Sequence, residues 1–292
     1  MILRSLLFLP GNTPRMIEKG PFLEADALIF DLEDAVSPHE KDTARILVRN
    51  AIRTVDFRGK KIVVRINAPG FGSLWQEDLD QVVSPGLAMI MIPKSENGGM
   101  IRQVDEKITA LEDARMLPEG SIRLIPLIET CRGIEHAYDI AVSSPRIYGL
   151  FLGAEDLTAD MRCRRTREGS EILFARLALL NAARAAGVEA FDTPFTDVND
   201  LEGLQADAQR ARAFGYSGKA SISPRHLEII NQVFSPGEDE IAYAREVVEA
   251  IEAAEKNGRG VATVRGKMID KPVVMRAAQT LELADQIAGG RL

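Results

Sequence analysis

The sequence contains few of the residues that bind zinc or form disulfides. It has only two cysteines and three histidines in 292 residues, and Cys131 and Cys163 stand in no metal-ligand spacing. It also lacks an apolar run long enough to span a membrane, and residues 1–9 lack the cleavage-site pattern of a signal peptide. The net charge is −7 with no lysine- or arginine-rich block, which gives no reason to expect nucleic acid as a partner. We therefore expect a cytoplasmic protein that binds neither nucleic acid nor membranes.

Short apolar runs recur along the chain and predict eight strands. They occur at 5–11, 27–34, 61–67, 88–94, 123–130, 147–156, 189–195 and 216–223. Between most of them lie segments with helical spacing of apolar residues, such as EILFARLALLNAARAAG (171–187). Strands that are apolar at successive positions belong to sheets covered on both faces, and intervening helices supply that cover. The pattern over residues 1–223 therefore predicts an α/β fold, a (β/α)₈ TIM barrel.

A doubly wound open sheet is the alternative α/β arrangement. Its phosphate-binding loop should follow a strand, but the GxG-like run GRGVAT (258–263) follows none, so the barrel is favoured. Residues 224–292 are predicted to form a C-terminal helical extension, with helices at 238–258 and 272–288. The segment between them, 258–270, contains glycine and few apolar residues, and we predict that it is a mobile loop.

Carboxylates follow several of the predicted strands. In a barrel the carboxyl ends of all strands meet at one face, so these side chains should lie close together. Unpaired like charges raise each other's pKa and cost stability, so something must neutralise them. Mg²⁺ suits two carboxylates that leave room for water and substrate oxygens. Glu129 and Asp156, at the ends of adjacent predicted strands, are the predicted magnesium ligands.

Each of these residues also has a structural interpretation. A single acid at a strand end, such as Asp34 or Asp192, is more often a helix N-cap or a surface ion pair. Arg65 can hold a substrate carboxylate through two hydrogen bonds, or it can pair with a neighbouring acid. Lys94 is placed like a Schiff-base lysine, but nearby acids would keep it protonated, which favours a structural ion pair.

Several motifs together resemble the citrate lyase beta-subunit-like family, which includes citryl, malyl-CoA and citramalyl-CoA lyases of the HpcH/HpaI type. The resemblance runs from residue 4 to about residue 285 and keeps the order of the motifs. They are RSLLFLPGN (4–12), ADALIFDLEDAVSPHEKDTAR (25–45), VVRIN (63–67), MIPKSE (91–96), LIPLIET (124–130), LFLGAEDLTADM (150–161) and GKMIDKPVV (266–274).

The resemblance implies a (β/α)₈ barrel, often a homotrimer, that cleaves or forms a C–C bond between an acetyl thioester and a 2-keto acid. Glu129 and Asp156 match the family's Mg²⁺ ligands, and Glu129 is also expected to contact the substrate. Arg65 matches the arginine that binds the keto acid and steadies the enolate. Asp34 matches an active-site acid close to the metal. Asp270 matches an acid that, in CoA-dependent members, swings in from a neighbouring subunit as the catalytic base.

Two positions weaken or complicate the resemblance. Asp270 precedes Lys-Pro and an amphipathic helix, which is also typical of a helix N-cap. Ser223 stands before Pro224, where many relatives carry histidine, so no site is assigned there.

The substrates implied are an acyl-CoA thioester, such as citramalyl-CoA or malyl-CoA, and a 2-keto acid. Three alternatives stay open. They are a citryl-carrier-protein lyase subunit, a Mg-dependent aldolase acting on a free 2-keto-3-hydroxy acid, and a non-catalytic keto-acid-binding subunit.

Overall fold

Eight parallel strands close into a barrel in the order in which they occur along the chain. The computed structural model describes residues 1–70, 72–256 and 260–289. The chain divides into two units: the barrel unit, residues 3–231, and the C-terminal unit, residues 232–292 with residues 1–2. The predicted (β/α)₈ fold is confirmed.

The strands and helices follow one another in regular alternation through most of the barrel unit. The strands are β1 (Ser5–Pro10), β2 (Ala27–Asp31), β3 (Lys61–Arg65), β4 (Leu87–Ile92), β5 (Arg123–Ile128), β6 (Gly149–Leu152), β7 (Glu189–Asp192) and β8 (Gly218–Ser221). The helices are α1 (Pro14–Lys19), α2 (Lys41–Thr54), α3 (Leu74–Val82), α4 (Gly98–Ala114), α5 (Cys131–Glu135), α6 (Ala137–Ala141), α7 (Ala154–Asp160), α8 (Leu173–Ala185), α9 (Leu201–Phe214) and α10 (Leu227–Val233). Short 3₁₀ turns lie at Gly20–Phe22, Pro38–Glu40, Ser170–Ile172 and Pro224–His226.

The strands are apolar on both faces because both faces are covered. All five residues of β2 are buried, some against the outer helices and some in the barrel interior. The interior is filled by a cluster that includes Leu6, Ile29, Val63, Ile125 and Phe151. The barrel is therefore a packed core, and polar side chains are left for the strand ends.

The outer helices bury one stripe each. In α2 the apolar residues facing the barrel are Ala44, Val48, Ala51 and Ile52, which have helical spacing. At the start of α9 the side chain of Asp200 accepts a hydrogen bond from the Gly203 N–H, which satisfies one of the free donors there. Among the described helices, none is both long enough and apolar enough to cross a membrane.

All eight predicted strands exist, but their predicted carboxyl ends run too far. The predicted strand 147–156 includes Glu155 and Asp156, whereas the structure places both residues in the first turn of α7. Lys219, predicted at the end of a strand, is the second residue of β8. An apolar run does not reveal where the backbone turns, because the residues that open the helix are also apolar or small.

The C-terminal unit contains α11 (Glu238–Lys256), α12 (Lys271–Gly289) and a two-stranded antiparallel hairpin, β9 (Ala262–Val264) and β10 (Lys267–Ile269). The two-residue turn Arg265–Gly266 has positive φ at both positions, as a type I′ hairpin turn requires. In the predicted loop 258–270, residues 258 and 259 lie outside the described residues, and the hairpin occupies most of the rest. The mobility of this loop and the domain boundary at residue 223 stay predictions.

Candidate active site

Glu129 follows β5 directly, and its side chain is buried. The residue is 2% exposed, and its Oε1 accepts a hydrogen bond of 2.8 Å from the backbone N–H of Lys94. Lys94 has a φ of 48°, in the left-handed region that residues with a side chain seldom adopt. The loop after β4 thus takes an unfavourable backbone conformation at the residue whose N–H meets this carboxylate.

Asp156 lies next to Glu129 because α7 starts close to the end of β5. The Gly153 N–H donates to the Ile128 carbonyl at 2.9 Å. A Cβ on Gly153 would lie 2.7 Å from Glu129 Oε2, so only glycine allows this approach. Burial, and then the charge of Asp156, raise the pKa of Glu129 to about 8, although the Lys94 N–H and Arg65 oppose the rise. The predicted carboxylate pair is therefore brought together.

Arg65 ends β3 and is held by acids from the neighbouring strand. Its Nε and Nη2 bond both oxygens of Asp31, at 2.7 and 2.6 Å, and its Nη1 lies 3.2 Å from Glu33 Oε2. The guanidinium carbon also lies 5.3 Å from the centre of the Phe8 ring. Burial lowers the pKa of Arg65, but the hydrogen bonds to Asp31 and the charge of Asp31 outweigh burial and raise it above its ordinary value. The side chain is therefore a permanent cation.

Lys94 forms an ion pair, as the sequence predicted. Its Nζ lies 2.6 Å from Glu33 Oε1 and 3.9 Å from Asp34 Oδ1. Burial lowers the pKa of Lys94, but the bond to Glu33 and the nearby acids outweigh burial and raise it. A protonated amine is not nucleophilic, which argues against a Schiff-base role. Asp34 has a side chain that is 57% exposed, so it lies at the rim of this group.

The donor set suits magnesium. Glu129 and Asp156 offer carboxylate oxygens only, the ligand type that Mg²⁺ prefers, and Mg²⁺ commonly takes one or two carboxylates and keeps several waters. Across residues 1–70, 72–256 and 260–289, no cluster of three or more His, Cys, Asp or Glu side chains could enclose a metal ion. A site here would therefore be an open one, with positions left for water or substrate.

Asp270 belongs to the C-terminal unit, where it precedes α12. Its Oδ1 accepts a hydrogen bond of 3.2 Å from the Val273 N–H, and its carbonyl accepts one of 3.1 Å from Val274. This is the N-cap arrangement predicted as the structural interpretation of Asp270. Its catalytic role stays a prediction.

A second group of charged side chains lies in the wall of the barrel unit, and sequence reasoning missed most of it. Arg176 of α8 and Lys219 of β8 bond Asp192 of β7 and Asp207 of α9, at distances between 2.6 and 3.0 Å. The prediction that Asp192 is a helix cap or surface ion pair is wrong, because the residue is fully buried. We call these four residues the buried quartet. Arg176 did leave a signal, since it interrupts the apolar run LFARLALL.

A closed barrel with buried acids at the carboxyl ends of its strands has the architecture of a barrel enzyme. Comparison with known proteins gives the class: the HpcH/HpaI aldolase/citrate lyase family model matches residues 4–224. The chain therefore belongs to the HpcH/HpaI aldolase/citrate lyase family, as its motifs indicated, and it is an enzyme of the lyase class.

Individual relatives cover almost the whole chain. The citrate lyase subunit beta of Leuconostoc mesenteroides subsp. cremoris is 42% identical over 283 residues, covering 97% of this chain and 93% of the relative. A (3S)-malyl-CoA thioesterase of Cereibacter sphaeroides (strain ATCC 17029 / ATH 2.4.9) is 37% identical over 290 residues, covering 99% and 96%. A solved structure of CitE from Mycobacterium tuberculosis in complex with magnesium, acetoacetate and coenzyme A has a TM-score of 0.78 and 31% identity, covering 97% and 98%.

Proposed function

We propose that the chain is a Mg-dependent lyase that cleaves or forms a 3-hydroxyacyl-CoA thioester such as citramalyl-CoA or malyl-CoA. The products of cleavage are an acetyl thioester and a 2-keto acid. The observation that carries the proposal is the placement of buried Glu129 beside Asp156, since burial, and then the charge of Asp156, raise the pKa of Glu129 to about 8. A buried carboxylate beside a second, half-buried one is costly unless a cation joins them. The solved complex of CitE with magnesium, acetoacetate and coenzyme A supports this assignment.

In this proposal Glu129 and Asp156 hold the magnesium ion. Bound magnesium supplies Lewis-acid polarisation of the substrate oxygens where the C–C bond breaks. The backbone N–H of Lys94 keeps one oxygen of Glu129 oriented, so the other oxygen is available as a ligand. Glu129 therefore has Oε1 committed to the protein, while Oε2 lies beside Gly153 at the start of α7.

Arg65 offsets the negative charge that develops on the thioester enolate. Asp31 holds one edge of the guanidinium through two hydrogen bonds, so the cation needs no reorganisation when the charge appears. Asp34, at the exposed rim, is proposed as the acid close to the metal, with Lys94 3.9 Å away.

Asp270 is proposed to protonate the enolate carbon in cleavage, or to remove the acetyl proton in synthesis. The variant Asp270→Asn separates this role from helix capping, because asparagine caps a helix as well as aspartate does. We expect Asp270→Asn to keep the melting temperature of the wild type but to lose activity by about a hundredfold or more. Asp270→Ala should lower the melting temperature as well as the activity. Full activity in Asp270→Asn would leave capping as the only role.

A citryl thioester is the second candidate substrate. The 42% identity to a citrate lyase subunit beta favours it, and a citrate lyase beta subunit from M. tuberculosis has been solved with oxaloacetate and magnesium. A carrier protein, rather than coenzyme A, would then present the thioester. A homotrimer, in which a neighbouring subunit would contribute Asp270, also stays a proposal.

The test is a cleavage assay on purified protein. Malyl-CoA, citramalyl-CoA and citryl-CoA are offered separately, with magnesium or with EDTA, and released keto acid is trapped as a hydrazone while free thiol is counted. Magnesium-dependent release of keto acid from malyl-CoA or citramalyl-CoA, without free thiol, supports the proposal. Release from citryl-CoA alone favours the second candidate. Free thiol without keto acid indicates thioester hydrolysis instead.

Inactivity on all three thioesters, in protein that binds magnesium, would contradict the proposed substrate class. An aldolase acting on a free 2-keto-3-hydroxy acid would then be the better assignment, and it would not bind coenzyme A. In a subunit that only binds keto acid, Asp270→Ala would leave the affinity for the keto acid unchanged.

A further inference from the structure

The start of α7 is fixed by one hydrogen bond to β5 and one to the residue that follows β7. The Gly153 N–H donates to the carbonyl of Ile128, the residue before Glu129, at 2.9 Å. The N–H of Ala154, the first residue of the helix, donates to Thr193 Oγ1 at 3.1 Å. Both Ala154 and Thr193 are fully buried, so no water can take the place of that hydroxyl. Because Asp156 lies in the same helical turn, these two bonds fix the position of its backbone.

Thr193 is itself held by the buried quartet. It follows Asp192 in the chain, and its carbonyl accepts a hydrogen bond of 2.6 Å from Lys219 Nζ. The same ammonium bonds Asp192 and Asp207, each at 2.6 Å. A cation with three short hydrogen bonds in a fully buried place allows little movement of the backbone that it holds. The hydroxyl of Thr193 is thus a fixed point to which α7 is attached.

We propose that Thr193 is a positioning residue for the magnesium site, because its hydroxyl sets the start of α7 and thereby the separation of Asp156 from Glu129. The inference rests on the proposed function. Mg²⁺ demands nearly ideal octahedral geometry with ligand distances of about 2.0–2.1 Å, so a small displacement of one ligand weakens binding. Thr193 acts through the helix and does not touch the metal or the substrate.

The test measures magnesium affinity in the absence of substrate, by isothermal titration calorimetry. Thr193→Val removes the acceptor and keeps the shape of the side chain, whereas Thr193→Ser keeps the hydroxyl. We expect Thr193→Val to weaken magnesium binding by about tenfold or more, the effect typical of residues that orient metal ligands. Thr193→Ser should restore binding to within about twofold of the wild type. Thr193→Ala provides the same test if Thr193→Val does not fold.

Ser144→Ala is the matched control. Its Oγ accepts a hydrogen bond of 3.0 Å from the Arg146 N–H, three residues before β6, and donates one of 2.6 Å to Asp105 Oδ2. The Thr193 Oγ1 accepts its bond from the Ala154 N–H, two residues after β6. Thr193→Val and Ser144→Ala therefore each remove a buried hydroxyl that accepts a hydrogen bond from a backbone N–H. The two N–H groups lie on opposite sides of β6. Ser144→Ala should lower the melting temperature and leave magnesium affinity unchanged.

Two results would overturn the inference. One is wild-type magnesium affinity in both Thr193→Val and Thr193→Ala. The other is an equal loss of affinity in Ser144→Ala, which would mean that general destabilisation weakens the site. Failure of the wild-type protein to bind magnesium at all would instead refute the proposed function, and the role of Thr193 with it.

Discussion

Two groups of acids in the barrel unit differ in the presence of matching cations. In the buried quartet, Asp192 and Asp207 are each bonded by Arg176 and Lys219. Glu129 has a backbone N–H as its hydrogen-bond donor and a second carboxylate beside it. Glu129 is as buried as Asp192 and Asp207, whereas Asp156 is half-buried, so for Glu129 the difference lies in charge balance.

The pKa values express the same contrast. Although burial raises it, Lys219 and Arg176 lower the pKa of Asp207 to about 2. Burial and Asp156 raise the pKa of Glu129 to about 8. Asp31 resembles the quartet, because burial is outweighed by its bonds to Arg65, which lower its pKa. Burial keeps the pKa of Glu33 raised, although Arg65 and Lys94 lie beside it. Charge balance therefore separates the acids of the quartet from the pair that we propose binds a cation from outside the chain.

The largest expected effect on stability comes from breaking the balance of the quartet. Lys219→Met leaves Asp192 and Asp207 buried with one cation between them, and should lower the free energy of unfolding by about 3–5 kcal/mol. Urea unfolding followed by circular dichroism measures it. The control Lys107→Met removes a partly exposed ion pair with Asp80 and should cost about 1 kcal/mol or less. Equal losses in the two variants would contradict the contrast.

A smaller effect is expected in the dependence of magnesium affinity on pH. The pKa of Glu129 is about 8, above its usual value, so below pH 8 a proton competes with the metal for this carboxylate. We expect the dissociation constant for magnesium to fall as pH rises, by up to about tenfold per unit, and to level off above pH 8. Calorimetric titrations between pH 6 and 9 measure it.

The raised pKa of Glu129 also affects the stability of the protein without magnesium, which should decrease as pH rises. Because the folded pKa of Glu129 is raised, its contribution to stability is fully present below the unfolded value of about 4.3 and is lost as pH rises through about 8. Glu129→Gln should remove this pH dependence. A wild-type protein whose stability and magnesium affinity are both constant from pH 6 to 9 would show that Glu129 is not protonated at neutral pH.

The smallest expected effect is at Glu155, the sequence neighbour of Asp156. Its side chain is 53% exposed and pairs with Arg165 at 2.9 Å. An exposed pair contributes about 1 kcal/mol at most, so Glu155→Gln should change neither stability nor magnesium affinity appreciably. Thermal melts and magnesium titration measure both. A loss of magnesium affinity here comparable to that of a ligand substitution would move the site from Asp156 to Glu155.

The sequence was sufficient to predict the barrel and the acids that meet at its carboxyl end. Strand runs such as 123–130 combine continuous apolar character with an acid at the end, which indicates both burial and position. The partners of those acids were harder to predict. Arg176 and Asp207 lie on helices and are 31 residues apart, so no local pattern joins them. Asp192 was misassigned because a strand-end acid taken alone does not reveal a cation buried behind it.

Magnesium titration of Asp156→Asn tests the central claim most directly. Asp160→Asn is the matched control, because Asp160 lies one turn later in α7 and its carboxylate accepts a hydrogen bond from the Cys131 N–H. We predict one magnesium ion per chain in the wild type and in Asp160→Asn, and binding weakened by about a hundredfold or more in Asp156→Asn. Wild-type binding in Asp156→Asn would contradict the claim that the unbalanced carboxylates hold the metal.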